Sequence, residues 1–167
     1  MKEKCKLFGR VLIFLFCIGI LVGGLLFVTS KDNEKIHTAS IANPITEVTN
    51  ASEMQKYLGF EVPIIVDKEV EKYVVIGKDK RATHARVIYK DKSEFNMEKG
   101  DSDVSGIYGG TKIKDESIGG VKVIINKYED TIYALWIYDG FSFSYSKVNS
   151  NENELNIDIN KIMSLIR

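Results

Sequence analysis

An α+β fold is what this sequence predicts: an N-terminal transmembrane helix, then a twisted antiparallel sheet of about six to eight strands. A short helix precedes the sheet and an amphipathic helix closes the C-terminus. Three observations lead there. Residues 11–28, VLIFLFCIGILVGGLLFV, carry no charge, and fourteen of the eighteen are Val, Leu, Ile or Phe. Between Tyr73 and Ser146, apolar residues recur at every second position and are broken by turn residues, which is the period of strands. From Leu155 they recur at i, i+4, i+7, i+8 and i+11, the stripe of one helix face.

The apolar run comes first because it sets the compartment of the rest. At roughly −0.3 to −0.6 kcal/mol for each large apolar residue, insertion is favourable by about 4 to 8 kcal/mol. At about 1.5 Å rise per residue the run covers roughly 27 Å, close to one hydrocarbon core. It is longer than the apolar core of a cleaved signal, and Phe27-Val28-Thr29-Ser30 offers no A-x-A-like site. Residues 11–30 therefore read as a retained single-pass signal-anchor in the cell membrane. Lys2, Lys4, Lys6 and Arg10 precede it against Glu3 alone, so residues 1–10 are a cytoplasmic basic tail and the C-terminal part lies outside. Gly19 and Gly23 share one face of the span, where small residues let a second helix approach; they are the candidates for helix–helix packing and a homodimer, against the plainer reading that glycine is common in membrane helices. Membrane lipid is the partner of the span itself.

Charge and cysteine narrow the function classes. Without Lys2, Lys4, Lys6, Arg10 and Glu3, the 23 basic and 23 acidic side chains become 19 and 22, about three net negative charges. That argues against a nucleic-acid partner, which needs a basic stripe. Both cysteines, Cys5 and Cys17, precede residue 31, so the outer part holds together by packing without disulfides. Phe14-Leu15-Phe16 before Cys17 is not the small-residue box of a lipoprotein.

Residues 31–49 are polar, rich in Thr, Ser and Asn, and read as a tether. Residues 50–167 form the extracytoplasmic domain. Asn50 with Glu53 three residues on is a helix-start signature, and Gly59 is placed to end that helix. Val62-Pro63-Ile64-Ile65-Val66 reads as a first or edge strand, because proline cannot donate to a ladder. Further strands are expected at Tyr73–Ile76, around Ala85, Val87 and Tyr89, at Phe95 and Met97, and at Val121, Val123 and Ile125. Ile107-Tyr108, among Gly106, Gly109 and Gly110, reads as a strand edge. TIYALWIY at 131–138 is apolar on both faces and should be a central strand. Asp139-Gly140 is the strongest hairpin signal in the chain. After it Phe141, Phe143 and Tyr145 face a core, and Ser142, Ser144 and Ser146 face water or a ligand. Asn151 and Glu154 start the last helix, whose Leu155, Ile159, Ile162, Met163 and Ile166 lie across the sheet.

Catalytic and metal motifs do not show. His37 and His84 have no second ligand at metal spacing, and His84 reads as a solvated strand residue. There is no G-x-S-x-G and no cysteine in the outer domain, so neither nucleophile motif is present. Glu98 to Asp103 lacks the full Ca²⁺ loop, and Gly109-Gly110 opens onto no helix that would bind phosphate. No cofactor or metal is expected.

The order of features carries a resemblance. It runs from the apolar span, through Leu58-Gly59-Phe60 and the Pro63 segment, to Tyr108-Gly109-Gly110 and Gly119-Gly120-Val121. Ala134-Leu135-Trp136, leading into Gly140-Phe141-Ser142-Phe143-Ser144, completes it. In this the chain resembles the membrane-anchored extracytoplasmic domains of unknown function of Gram-positive bacteria, similar in outline to lipoprotein-carrier and anti-sigma-regulator sheets. The resemblance covers about residues 50–166 and implies a non-catalytic module facing the cell wall; it implies no site residue.

The function expected from these readings is a membrane-anchored extracytoplasmic binding or sensing module without catalytic activity. Its partner would be a protein or a cell-wall component. Trp136, Tyr138, Phe143 and Tyr145 are the candidate contact surface wherever they escape burial. The alternative is a structural subunit of a membrane complex assembled through the transmembrane helix.

Overall fold

Short turns and alternating residues make hairpins, and two runs of hairpins make this fold. A computed structural model describes residues 44–78 and 81–167, without the side chains of Lys78 and Arg81. The tail, the span with Gly19 and Gly23, and residues 31–43 of the tether lie outside the described residues, as does most of the turn after Gly77. Among the described residues no helix is long and apolar enough to cross a membrane.

Eight strands form one antiparallel sheet: β1 (Ile45–Val48), β2 (Val70–Lys78), β3 (Arg81–Tyr89), β4 (Glu94–Lys99), β5 (Thr111–Ile118), β6 (Val121–Tyr128), β7 (Thr131–Tyr138) and β8 (Phe141–Val148). Their spatial order is β1-β2-β3-β4-β8-β7-β6-β5. Two four-strand meanders thus join where β4 pairs with β8, Phe95 opposite Tyr145 and Met97 opposite Phe143. The hairpin expected at Asp139-Gly140 is there, both residues at positive φ (48° and 75°), with Tyr138 directly opposite Phe141. A type I′ turn needs that geometry at both central positions, and Gly adopts it without strain.

Two helices cover one face. α1 (Ala51–Leu58) starts where Asn50 Oδ1 accepts the Glu53 N–H (2.9 Å), while Glu53 reaches back to the Thr49 N–H (2.8 Å). The Gly59 N–H donates to Gln55 O (2.8 Å) and closes the helix. α2 (Glu152–Leu165) starts the same way at Asn151 and buries Leu155, Ile159, Ile162 and Met163 against the sheet. The opposite face is crossed by residues 100–110. Since β4 is central and β5 is the far edge, this connection runs over β8, β7 and β6. It is held by Ser142 Oγ donating to Gly100 O (2.9 Å), by buried Val104 and Ser105, and by Gly110 packed on Tyr133.

Several expectations need correction. The domain begins before Asn50: Ile45–Val48 is an edge strand paired with Tyr73–Ile76. Val62–Val66 is not a strand but an irregular segment. Its Val62 and Ile65 are buried, and the Ile65 N–H donates to the Tyr89 hydroxyl (3.2 Å) where a ladder partner would stand. Ile107-Tyr108 belongs to the crossing loop, with Tyr108 exposed. Thr111–Ile118, without apolar alternation, is the β5 edge strand, and its Lys114 and Glu116 meet the first turns of α2 through Glu152 (2.8 Å) and Asn156 (3.0 Å).

The buried stripe of α2 also carries Asp158, whose side chain is 5% exposed. Its Oδ2 accepts from the Tyr145 hydroxyl (2.8 Å), Lys68 Nζ (3.0 Å) and Lys147 Nζ (3.2 Å). Lys68 in turn donates to Asp91 and to Ser93 Oγ, and lies over the rings of Tyr89 and Tyr145, 5.7 Å from each centroid. Burial, then Asp158, pushes the Tyr145 hydroxyl far above its ordinary pKa. Burial pushes Tyr89 up to about 12. For Asp91, partial burial opposes the charge, but Lys68 and the hydroxyl and N–H of Ser93 outweigh it and bring the carboxyl to about 2.

Removing Asp158 leaves two ammonium groups facing a buried gap, so Asp158→Ala should destabilise by about 3–5 kcal/mol in urea unfolding. Tyr145→Phe, which removes one hydrogen bond to a charge, should cost about 1.5–3 kcal/mol. Asp91 titrates lower in the folded than in the unfolded chain. Its contribution is therefore present above about pH 4 and is lost as pH falls toward 2. Urea midpoints measured across that window should show the loss in the native chain and a smaller one in Asp91→Asn. Gly110→Ala places a Cβ 2.0 Å from the Tyr133 hydroxyl. It should cost about 1–3 kcal/mol and speed amide exchange across residues 100–110.

Candidate functional site

Where the helices leave the sheet uncovered, a groove of about 690 Å³ remains. Its floor is the end of the sheet: Met97 of β4, Tyr138 of β7, and Phe141 and Phe143 of β8. One wall is Val62-Pro63-Ile64 with Ala51, Ser52 and Gln55 of α1; the other is Leu165 of α2 with Ile166 and Arg167. Glu61 and Asp139 stand at its rim. These side chains meet because alternation sends Met97, Tyr138, Phe141 and Phe143 to the helix face of the sheet.

The floor is stiff. Phe60 meets Phe141 edge-on at 5.0 Å, and Phe141 lies 6.4 Å from Phe143. Phe143 stacks on Trp136 at 5.3 Å and 5°, with Phe95 at 6.2 Å from Phe143. An aromatic row thus runs from the groove into the core. Its far end has an unusual feature: Trp136 is 3% exposed and its Nε1–H has no hydrogen-bond partner among the described residues.

Of the four residues predicted as a contact surface, Trp136, Phe143 and Tyr145 lie in the core, at 3%, 2% and 0% exposure. Tyr138 alone is half-buried and open to the groove, and Phe143 reaches it only as part of the floor. The core-facing row expected of these aromatics is there: both helices lie across that face, and of the four only Tyr138 escapes burial. Sequence reasoning missed the walls at 61–64 and 165–167. Their signal was the apolar Val62–Val66 run that does not enter the sheet, and the exposed Leu165 (47%) beyond the buried stripe.

On the opposite face the polar residues are also covered. Ser142 and Ser144 are 2% and 1% exposed and do not face water. His84 is not solvated either: its Nε2 lies 3.0 Å from Asn96 Oδ1, which also accepts from Arg86 Nε (3.0 Å). The Asn96 amide donates to Glu94 Oε1 (2.8 Å) and Ser144 Oγ (3.2 Å). With donors on its oxygen side and acceptors on its nitrogen side, buried Asn96 is satisfied at both ends. Arg86 pairs with Glu94 (3.1 Å), and His84 Nδ1 lies 3.9 Å from Glu98. Every polar group in this cluster is engaged with another, and Ser142 is bound to the crossing loop. The arrangement holds the loop down and presents no nucleophile beside a base. Among the described residues no group of three or more His, Cys, Asp or Glu is placed to hold a metal ion.

Comparison with protein families, with curated proteins and with solved structures finds no match to this chain.

The unpaired Trp136 N–H separates two substitutions. Trp136→Ala should cost about 3–5 kcal/mol through the lost packing. Trp136→Phe should cost less, because it removes a buried donor that has no acceptor. Chemical denaturation of the two variants, with near-ultraviolet dichroism as a check on the aromatic row, measures the difference.

Proposed function

We propose that this chain is a membrane-anchored extracytoplasmic binding module and that the groove between its helices receives an elongated apolar ligand, which it holds without transforming. The groove carries this reading. Its volume falls within the range of small-molecule sites, about 300–1,000 Å³. Its floor is largely aromatic, with one hydroxyl from Tyr138; Ser52 and Gln55 add polar groups to one wall, and Glu61 and Asp139 stand at the rim. Burying a methylene there is worth about 0.8 kcal/mol, so an elongated chain of about ten carbons gains roughly 8 kcal/mol to set against the entropy of association. The apolar run at 11–28 supports placing the module at a membrane, and the basic residues before it support an outward-facing domain.

Trp136, the only tryptophan, reports on the groove through Phe143. In full-length chain held in nanodiscs, dansyl-undecanoic acid should quench Trp136 emission saturably by energy transfer. Ser52→Phe, which fills the groove, and Leu165→Glu, which charges its wall, alter exposed positions and should each weaken that binding about tenfold, or 1.4 kcal/mol. Non-saturable transfer that both variants leave unchanged would refute a binding groove here.

A further inference from the structure

The strand register and the chemistry of the groove together indicate what it holds. We infer that the occupant is an acyl chain of a bilayer phospholipid, with its zwitterionic headgroup at the mouth beside Arg167, Glu61 and Asp139. This rests on the anchored binding-module reading above and names its ligand.

The floor decides between hydrocarbon and peptide. It is a sheet face, so the backbone N–H and C=O groups beneath it are already used in the ladders joining β4, β8 and β7. Of the side chains above them, Met97, Phe141 and Phe143 offer no hydrogen bonds, and the polar groups are few: the Tyr138 hydroxyl on the floor and Ser52 and Gln55 on one wall. A peptide or glycan lying there would bury polar groups without partners, at a cost that a hydrocarbon chain does not incur. The mouth is different. Glu61 and Asp139 are exposed there and make no ion pair among the described residues, and Arg167 is exposed beside them with its guanidinium resting against Gly119 of the β5–β6 turn. One cation and two acids complement a headgroup that carries a phosphate and an ammonium.

The register places this mouth at the end of the sheet where the chain arrives. The Gly77 N–H donates to Pro44 O (2.8 Å), and Ile45 stands opposite Ile76. The same row continues through His84, Glu98, Ser142 and Ile137, with Lys99, Phe141 and Tyr138 one step beyond. Groove and incoming chain therefore share one end of the sheet. Residues 29–43, between the apolar run and Pro44, extend at most about 50 Å. A lipid of the same bilayer is thus the apolar ligand at highest local concentration.

The test uses full-length chain in nanodiscs containing a phosphatidylethanolamine with a diazirine on its acyl chain, with crosslinks mapped by mass spectrometry after photolysis. Crosslinks are expected on Ile64, Tyr138 and Phe141, falling about tenfold in Ser52→Phe and Leu165→Glu and severalfold in Arg167→Ala. Both wall variants change exposed residues, and near-ultraviolet dichroism confirms that they fold. Crosslinks confined to residues 11–28 would overturn the lipid assignment. If dansyl-undecanoic acid still bound in that case, the groove would remain a binding site for another apolar ligand, an apolar peptide among them. If the chain failed to enter nanodiscs at all, the anchoring reading would fall with the lipid.

Discussion

The carboxylate of Asp158 is the point from which the arrangement of this domain is set. It projects from the apolar face of α2 into the space between helix and sheet, where it gathers Tyr145 from β8 and Lys147 from the same strand. Lys68 comes from the irregular segment after α1 and carries the network on to Asp91, in the turn between β3 and β4. A second tie, Lys161 to Asp67, joins the outer side of α2 to the same segment. A buried ion pair is weak evidence for net stability, because desolvation offsets much of the attraction. What it does specify is geometry, since one misplaced partner leaves a charge without compensation. The two walls of the groove are the start of this segment and the end of α2. Their separation therefore depends on contacts made farther along each element.

The two faces of the sheet are closed by different means. The helix face is closed by apolar packing, and the aromatic row from Phe60 through Phe141 and Phe143 to Trp136 carries that packing out to the surface. The other face is crossed by a loop and carries a hydrogen-bonded cluster centred on Asn96, whose side chain joins His84, Arg86, Glu94 and Ser144. The larger groove lies on the helix face, while on the loop face a smaller cavity of about 340 Å³ opens beside Ile124, Leu135 and the exposed Ile137.

The edges of the sheet are guarded against strand addition. β1 has four residues. β5 carries Lys112, Lys114, Asp115 and Glu116, with a register shift between Lys112 and Lys114 that leaves Ile113 unpaired. Short, charged or bulged edges discourage another chain from extending the sheet. A ligand is accordingly better accommodated in the groove than along an edge, which agrees with a floor that has no backbone groups to offer.

The sequence by itself determined the mixed α+β class, both helices with their asparagine caps, and the β7–β8 hairpin, because each is written in local chemistry. A cap needs one side chain and one nearby N–H; a type I′ turn needs two residues at positive φ; a helix stripe needs only its own period. The strands whose side chains serve other elements left no such trace. β5 meets α2 through Lys114 and Glu116, and β1 buries only Val48. Only the tertiary structure decided that β4 pairs with β8, that residues 100–110 cross the far face, and that α1 shares the covered face with α2. It alone assembled the groove. The reason is physical: alternation tells which residues share a face, but what covers that face depends on contacts between residues far apart in the chain. Asp158 meets Lys68, and Phe60 meets Phe141, across separations that no local pattern records.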